Sequence, residues 1–375
     1  MIEREMEYRG SKSVSGLSKP INQELDAVKE QRVDGSWPYR IKTGEGLRCT
    51  LMGFERNYPV KIPSKQIKTY STKIDNNKLN PWFITGFSDA ESSFNILIQP
   101  RLDSKTKWRV KAIFIIGLNK KDTAILENIK LSFGVGRIYN SGTKVYYRVE
   151  SFEQMQVIID HFDKYPLATC KKIDYDLFKN CYNVVKLREH LTVQGLSKLI
   201  EYKFSLNKGL SKNLKEKFTQ VASVARPEYI FNGIPDPQWV AGFTSGDGSF
   251  NIKTTKAQSG KTQLRFAINL HIREKEVIIG LANYFNPTAN NYLTQEKIKY
   301  IYYTPNSVAI QIVNFSFVLN YIIPFFEKYQ LHGQKRLDFL DFKKVAQIVN
   351  NKEHLTKVGF NKILEIKQGM NLKRN

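Results

Sequence analysis

Apolar and polar positions alternate strictly along "TQLRFAINLH", residues 262–271: Leu264, Phe266, Ile268 and Leu270 point one way, Gln263, Arg265 and Asn269 the other. That is the period of a half-buried strand. Around it the pattern predicts a helix over 238–248, a strand over 249–256, a turn at "KAQSGK", the 262–271 strand and a helix over 273–284. Two further strands over 290–295 and 299–304 follow, then helices. The same order is written earlier: helix 82–92, strand 93–99, turn "PRLDSKTK", strand 107–117, helix 120–132, strands 136–140 and 144–150, then helices. The stretch "SVAIQIVNFSFVLNYIIPFF" (307–326) is the most apolar, but Gln311, Asn314, Asn320 and Pro324 interrupt it. It is too broken to cross a bilayer and reads as a buried strand leading into a helix.

The two series are copies. Residues 163–207 align without a gap to 327–371, with 17 identities in 45 positions, several times the roughly 6% expected of unrelated chains. Pro81, Gly86 and "SFNI" from Ser93 align to Pro237, Gly242 and "SFNI" from Ser249. A period this long signals a duplicated domain rather than a solenoid. The expected fold is α+β: two pseudo-symmetric αββαββα-type halves. Each is a four-stranded antiparallel sheet backed by helices on one face, with a polar, basic outer face. The expected organisation is a leader over 1–77, halves over 78–206 and 238–375, and a linker over 207–237 rich in Gly, Ser, Pro and charge. The leader has no counterpart in the repeat and is expected to be largely disordered.

The chain of 375 residues carries a formal net charge of +23, which points to a polyanionic partner. The leader holds 14 basic and 10 acidic residues, so the excess sits in the duplicated part. Cys49, Cys170 and Cys181 are scattered and odd in number, which argues against a disulfide framework. His161, His190, His271, His332 and His354 lack zinc-ligand spacing. No secretory signal opens the chain, and no membrane partner is expected. Nothing resembles a P-loop, a dinucleotide fold or a hydrolase triad.

The repeated sentence is "PWFITGFSDAESSFNILI" (81–98) and "PQWVAGFTSGDGSFNIKT" (237–254). Gly86 and Ala90 lie four apart on one helical stripe, and Gly242 and Gly246 hold the matching stripe. Helix separation depends on the side chains at the crossing, so these helices can pack unusually closely and join the halves. Glu91 and Asp247 each follow that stripe at the helix C-terminal end. The packing therefore gathers two carboxylates at ends that already carry partial negative charge. A divalent cation with oxygen ligands, Mg²⁺ by preference, would reconcile them.

This constellation resembles the LAGLIDADG homing endonucleases, in the single-chain, two-motif form of organellar group I introns. The nine-residue motif falls on Ile84–Ser92, "ITGFSDAES", and Val240–Gly248, "VAGFTSGDG". The resemblance spans roughly 78–375 and includes the duplicated "EHLT..G..K" tails. It implies a monomeric, metal-dependent nuclease that hydrolyses both DNA strands at a long, near-asymmetric site, working across the minor groove to leave cohesive ends. It implies that Glu91 and Asp247 hold Mg²⁺ or another divalent ion such as Mn²⁺, and that a late-helix lysine assists each centre. Lys171 and Lys335 are the best match, and Lys172 with Arg336 is the neighbouring alternative. Mitochondrial localisation is implied likewise. Ser92 replaces the final Gly of the motif, and Ser245 stands where the first copy has Asp89.

The polar sheet faces are expected to read base edges in the major groove. The candidates are Asn95, Gln99, Arg109, Lys111, Arg137, Lys144 and Arg148 in the first half. In the second they are Asn251, Lys253, Gln263, Arg265, Asn269, Lys297 and Lys299. Two sheets end to end span about two duplex turns, roughly 20 base pairs. Two other readings use the same scaffold: a maturase that binds its own group I intron RNA, and a cleavage-dead DNA-binding regulator. Both retained acids favour the nuclease.

Overall fold

The computed structural model describes residues 78–255, 261–285 and 300–371. The leader (1–77) and the candidates Lys297 and Lys299 lie outside the described residues.

Helix α1 spans Pro81–Glu91 and α7 Pro237–Asp247. Each starts one residue before the expected boundary, because proline occupies the first turn, where no amide donor is required. The Asn80 and Asp236 side chains cap them, accepting from the Trp82 and Gln238 amides. In the first half, β1 (Ser92–Pro100), β2 (Trp108–Asn119), α2 (Thr123–Phe133), β3 (Arg137–Ser141), β4 (Lys144–Val149) and α3 (Phe152–Lys164) follow. Helices α4 (Lys171–Lys186) and α5 (Val193–Ser205) complete it. The short α6 (Lys212–Lys217) lies in the connecting segment. The second half has β5 (Gly248–Thr254), β6 (Thr262–His271), α8 (Lys275–Phe285), β7 (Ile301–Tyr303) and β8 (Ser307–Ile312). A helical run over 315–328 contains a π turn at Val318–Ile322; α9 (Gln334–Asn350) and α10 (Lys357–Gln368) end the described chain.

Both sheets are antiparallel and four-stranded, ordered β1-β2-β4-β3 and β5-β6-β8-β7. The last hairpin of the second half shifts the sequence reading by one strand. Its strands are 301–303 and 307–312: the first falls within the expected 299–304, the second within the stretch read as a buried strand leading into a helix, and the expected strand 290–295 lies outside the described residues. The apolar alternation of "SVAIQI" puts Val308, Ile310 and Ile312 into the core, and β8 pairs with the C-terminal part of β6, Phe266 to His271. The segment between α8 and this hairpin is longer than its first-half counterpart, so the offset between copies changes there.

Each core is organised around the phenylalanine of its "SFNI". Phe94 packs against Phe114, Phe162, Tyr175 and Phe178 at 5.2–5.4 Å between ring centroids. Phe250 repeats this with Phe266, Phe326, Phe339 and Phe342 at 5.3–5.6 Å. The tails repeat too: Thr192 and Thr356 cap their helices by accepting from the Gly195 and Gly359 amides, both at 3.0 Å. The connecting segment crosses from one core to the other. Leu206, Leu210 and Leu214 are buried in the first, Phe231 and Ile234 pack against the second, and Tyr229 touches both.

Candidate active site

The motif helices α1 and α7 make the most extensive contact between any two elements. A Cβ on Gly86 would lie 2.8 Å from the Trp239 carbonyl carbon and 2.9 Å from the Phe243 nitrogen. A Cβ on Gly242 would meet Phe83 and Phe87 at the same two distances. Backbone therefore lies on backbone, and the two glycines are reciprocal. Further along, Gly246 faces Ala90: only one of the two can carry a methyl group, which explains why the second copy has Gly where the first has Ala.

At this end the acids meet. The Cγ and Oε1 of Glu91 lie 3.1 and 3.4 Å from where a Cβ of Gly246 would stand, one residue before Asp247. Burial raises the pKa of Glu91, opposed by Lys171 and Lys335. Asp247 is pushed up to about 8, by burial first and then by the neighbouring Glu91 charge. Two desolvated carboxylates side by side resist ionising together. Among the described residues, no hydrogen bond or ion pair of their own satisfies them, and no third His, Cys, Asp or Glu joins them as a metal ligand. A divalent cation that keeps several waters fits this donor set: two hard oxygen ligands from the protein, the rest of its shell from water and phosphate.

Lys171 and Lys335 flank the acids. Both are half-buried; loss of water lowers their pKa, and carboxylates hold it up again: for Lys171 Asp89, Asp247, Glu91 and Glu274, for Lys335 Asp338, Glu91, Asp247 and Asp122. The Lys171 ammonium donates to the Ser88 and Ser92 carbonyls at 2.9 and 2.7 Å, tying it to the end of α1. The neighbouring alternative fits less well: Lys172 turns outward to Asp176, 2.8 Å away. A cavity of about 140 Å³ opens beside Lys335, lined by Glu91, Asp122, Ser245, Gln334 and Asp338 among others.

The two departures from the motif have local explanations. Ser92 has φ −88° and ψ 165°, an extended conformation that needs no glycine, and its hydroxyl donates to the Ser88 carbonyl at 2.7 Å. Asp89 accepts from the Ala168 and Thr169 amides, the Thr169 hydroxyl and the Trp239 indole, so it braces α1 against the entry to α4. Burial raises its pKa to about 6. Ser245 retains part of that job, accepting from the His332 amide at 3.2 Å. The His332 ring packs edge-on to Phe83, which stands where the other half has Trp239.

All twelve described sheet candidates lie on the outward faces. In the first half the register pairs Gln99 with Arg109, Leu97 with Lys111, Asn95 with Ile113, Arg137 with Arg148 and Ser141 with Lys144. Antiparallel partners share a face, so these residues form one surface opposite the core. Asn251 with Arg265, Lys253 with Gln263, and Asn269 do the same in the second half. Glu150 sits within this surface, 2.6 Å from Arg148 and 3.6 Å from Lys111. Two further residues, Asp122 and Glu274, escaped the sequence reading; each ends the turn that leaves β2 or β6, and each reaches into the opposite half. An acid at the equivalent place in "NKKD" and "HIRE" was the signal available.

Twin basic sheets on either side of a carboxylate-bearing helix seam define a DNA-cleaving class of protein. Residues 84–182 and 240–346 match the LAGLIDADG endonuclease family, and the chain belongs to it. It is 36% identical, over 97% of its length and 69% of the relative's, to probable intron-encoded endonuclease 3 of Neurospora crassa. An uncharacterised protein in ND4 intron 1 of Podospora anserina is 38% identical over 44% of this chain and 41% of its own. The LAGLIDADG meganuclease I-CpaMI bound to uncleaved DNA superposes with a TM-score of 0.73 and 46% identity, covering 78% of this chain and all of that one. I-SmaMI bound to uncleaved DNA in the presence of calcium ions gives 0.73 and 40%, covering 78% and 99%. Among the described residues no helix is long and apolar enough to cross a membrane.

Proposed function

We propose that the protein is a monomeric homing endonuclease that cuts both strands of a long, near-asymmetric DNA site with Mg²⁺, or another divalent ion such as Mn²⁺, as cofactor. The reading is carried by one observation: Glu91 and Asp247 are held together, desolvated and pushed up in pKa, where the tightest helix seam of the fold ends. These two residues would hold the metal. When bound, the ion would stabilise charge on the attacking and leaving oxygens of the phosphodiester. The chain's own groups do the rest. The α1–α7 seam fixes the spacing of the acids. Lys171 and Lys335 bring positive charge to each scissile phosphate, and their lowered pKa favours proton exchange with a nearby water.

The outward sheet residues would follow the major groove. Asn95, Gln99, Arg109, Lys111, Arg137, Lys144 and Arg148 would read one half-site; Asn251, Lys253, Gln263, Arg265 and Asn269 would read the other. Because the two sets differ, the site is expected to depart from a palindrome. The relative in an ND4 intron supports an organellar, mitochondrial setting. The two remaining acids favour cleavage over a purely RNA-binding maturase role. Incubating the protein with Mg²⁺ and a library of duplexes, then sequencing the ends, tests the reading. Recurrent double-strand ends at one sequence are expected; intact duplexes throughout would overturn it.

A further inference from the structure

Lys171 and Lys335 occupy the first turns of α4 and α9. A cation is disfavoured there, because the N-terminal end of a helix carries partial positive charge and unpaired amides. The residue before each helix does not cap it through its own side chain: Cys170 and Gly333 make no such hydrogen bond. The missing acceptor comes from the other half. Asp122, at the end of the turn after β2, accepts from the Gln334 amide at 2.7 Å. Glu274, at the end of the turn after β6, accepts from the Cys170 amide at 3.0 Å.

The two contacts are related by the pseudo-twofold, yet their chemistry is adjusted to each side. Asp122 approaches so closely that its Oδ1 would lie 2.6 Å from a Cβ on Gly333; glycine, at φ +67°, leaves that room. On the other side Thr169 stands where the second half has Gly333 and its hydroxyl accepts from the Lys171 amide, while the longer Glu274 reaches the Cys170 amide, the equivalent of that of Gln334. The main chain at Gln334 is held further by its own side chain, which donates to the Lys121 carbonyl at 3.1 Å.

We propose that Asp122 and Glu274 are positioning residues, each supplied by one half to orient the lysine-bearing helix of the other, so that each active centre is complete only when the halves are docked. Asp122 serves Lys335, and Glu274 serves Lys171. The inference rests on the nuclease reading above, with one lysine for each strand cut.

Nicking of supercoiled and strand-labelled target DNA by the full chain tests it. Asp122→Ala should slow incision of one strand by about ten- to a hundredfold, the scale expected when a reacting group shifts by about 1 Å. The Glu274→Ala variant should slow incision of the opposite strand. Asp122→Asn and Glu274→Gln keep an acceptor oxygen and should cut both strands evenly. Amide exchange, measured without metal or DNA, should rise at Gln334 in the first alanine variant and at Cys170 in the second. Strand bias is a ratio within one preparation, and loss of folded protein lowers both strands together. If an alanine variant does not fold, Asp122→Ser and Glu274→Ser, whose hydroxyl falls short of the amide, carry the same expectation. Equal slowing of both strands, no slowing, or amide variants as biased as alanine would overturn the proposal. A wild-type protein that cuts no DNA would instead overturn the nuclease reading.

Discussion

A Cβ on Gly242 would fall 2.8 Å from the carbonyl carbon of Phe83, a non-bonded approach to main chain that cannot be made without moving backbone. Gly242→Leu therefore has to push α7 away from α1. Overpacking costs about 1–3 kcal/mol, and more where the obstacle is main chain. The damage should also reach Glu91 and Asp247, whose spacing the seam sets. A lower melting temperature is expected, with cleavage falling further than the folded fraction does and DNA affinity falling less. The exposed control Lys120→Leu should change neither. Wild-type melting and cutting in Gly242→Leu would show that the helices do not touch there.

Glu91→Gln and Asp247→Asn keep shape and remove charge. Each should abolish double-strand cleavage while leaving site binding measurable in Ca²⁺, because the sheet faces proposed to read the DNA lie away from the seam. A thermal shift induced by Mn²⁺ in wild type should vanish in both variants. Either variant cutting both strands at the wild-type rate would remove that acid from the chemistry.

Much of this was legible in the sequence because the motif appears twice. Small residues at 86, 90, 242 and 246 imply close helices, and the acids after them imply a shared site, without knowledge of any other contact. Strict alternation exposed Gln263, Arg265 and Asn269, and the first-half candidates follow by the same rule. In the hairpin over 301–312 the strand at 299–304 was read as the second of the pair rather than the first, because the offset between copies changes before it and the repeat alone could not register it. The repeat already favours Lys171 over Lys172, since it superposes Lys171 on Lys335, and the structure adds the contrast that one turns in to the end of the motif helix while the other pairs with Asp176. Asp122 and Glu274 were missed since their partners lie 212 and 104 residues away and belong to the other half.

His161 provides a pH test away from the acids. It lies among Phe133, Phe162 and Tyr165, and burial lowers its pKa to about 4. Thr85 donates its one proton to the Tyr165 carbonyl, so its oxygen accepts from Nε2–H of neutral His161. The folded state thus binds fewer protons than the unfolded chain between the ordinary value of 6.5 and about 4. Its contribution is fully present above about pH 6.5 and is lost as pH falls toward 4, by up to about 3 kcal/mol. Urea unfolding of His161→Gln should show a flatter dependence over this window than wild type. Parallel curves would mean that His161 titrates normally.

The last glycine of the second motif copy makes a sharper prediction than its absence from the first. Gly248 and Ser92 have nearly the same extended backbone, φ −71° and −88°, so φ does not select glycine. The neighbour four residues earlier does. In the first copy it is Ser88, whose carbonyl takes the Ser92 hydroxyl. In the second it is Thr244, whose γ-methyl crowds any Cβ at 248 and whose carbonyl oxygen would lie 2.5 Å from it. Gly248→Ser should therefore destabilise the protein by about 1–3 kcal/mol, as overpacking does, and disturb Asp247 next to it. Adding Thr244→Ser rebuilds the Ser–Ser pair of the first copy, and the backbone has only about 17° of φ to relax. The double variant should recover most of the lost melting temperature and cleavage, a strong non-additivity of the kind contacting residues show. The reciprocal change Ser92→Gly removes only a hydrogen bond, a loss of about 1 kcal/mol. A double variant as damaged as Gly248→Ser alone would mean that the threonine methyl is not the obstacle, and that the glycine answers to the backbone at the mouth of the site.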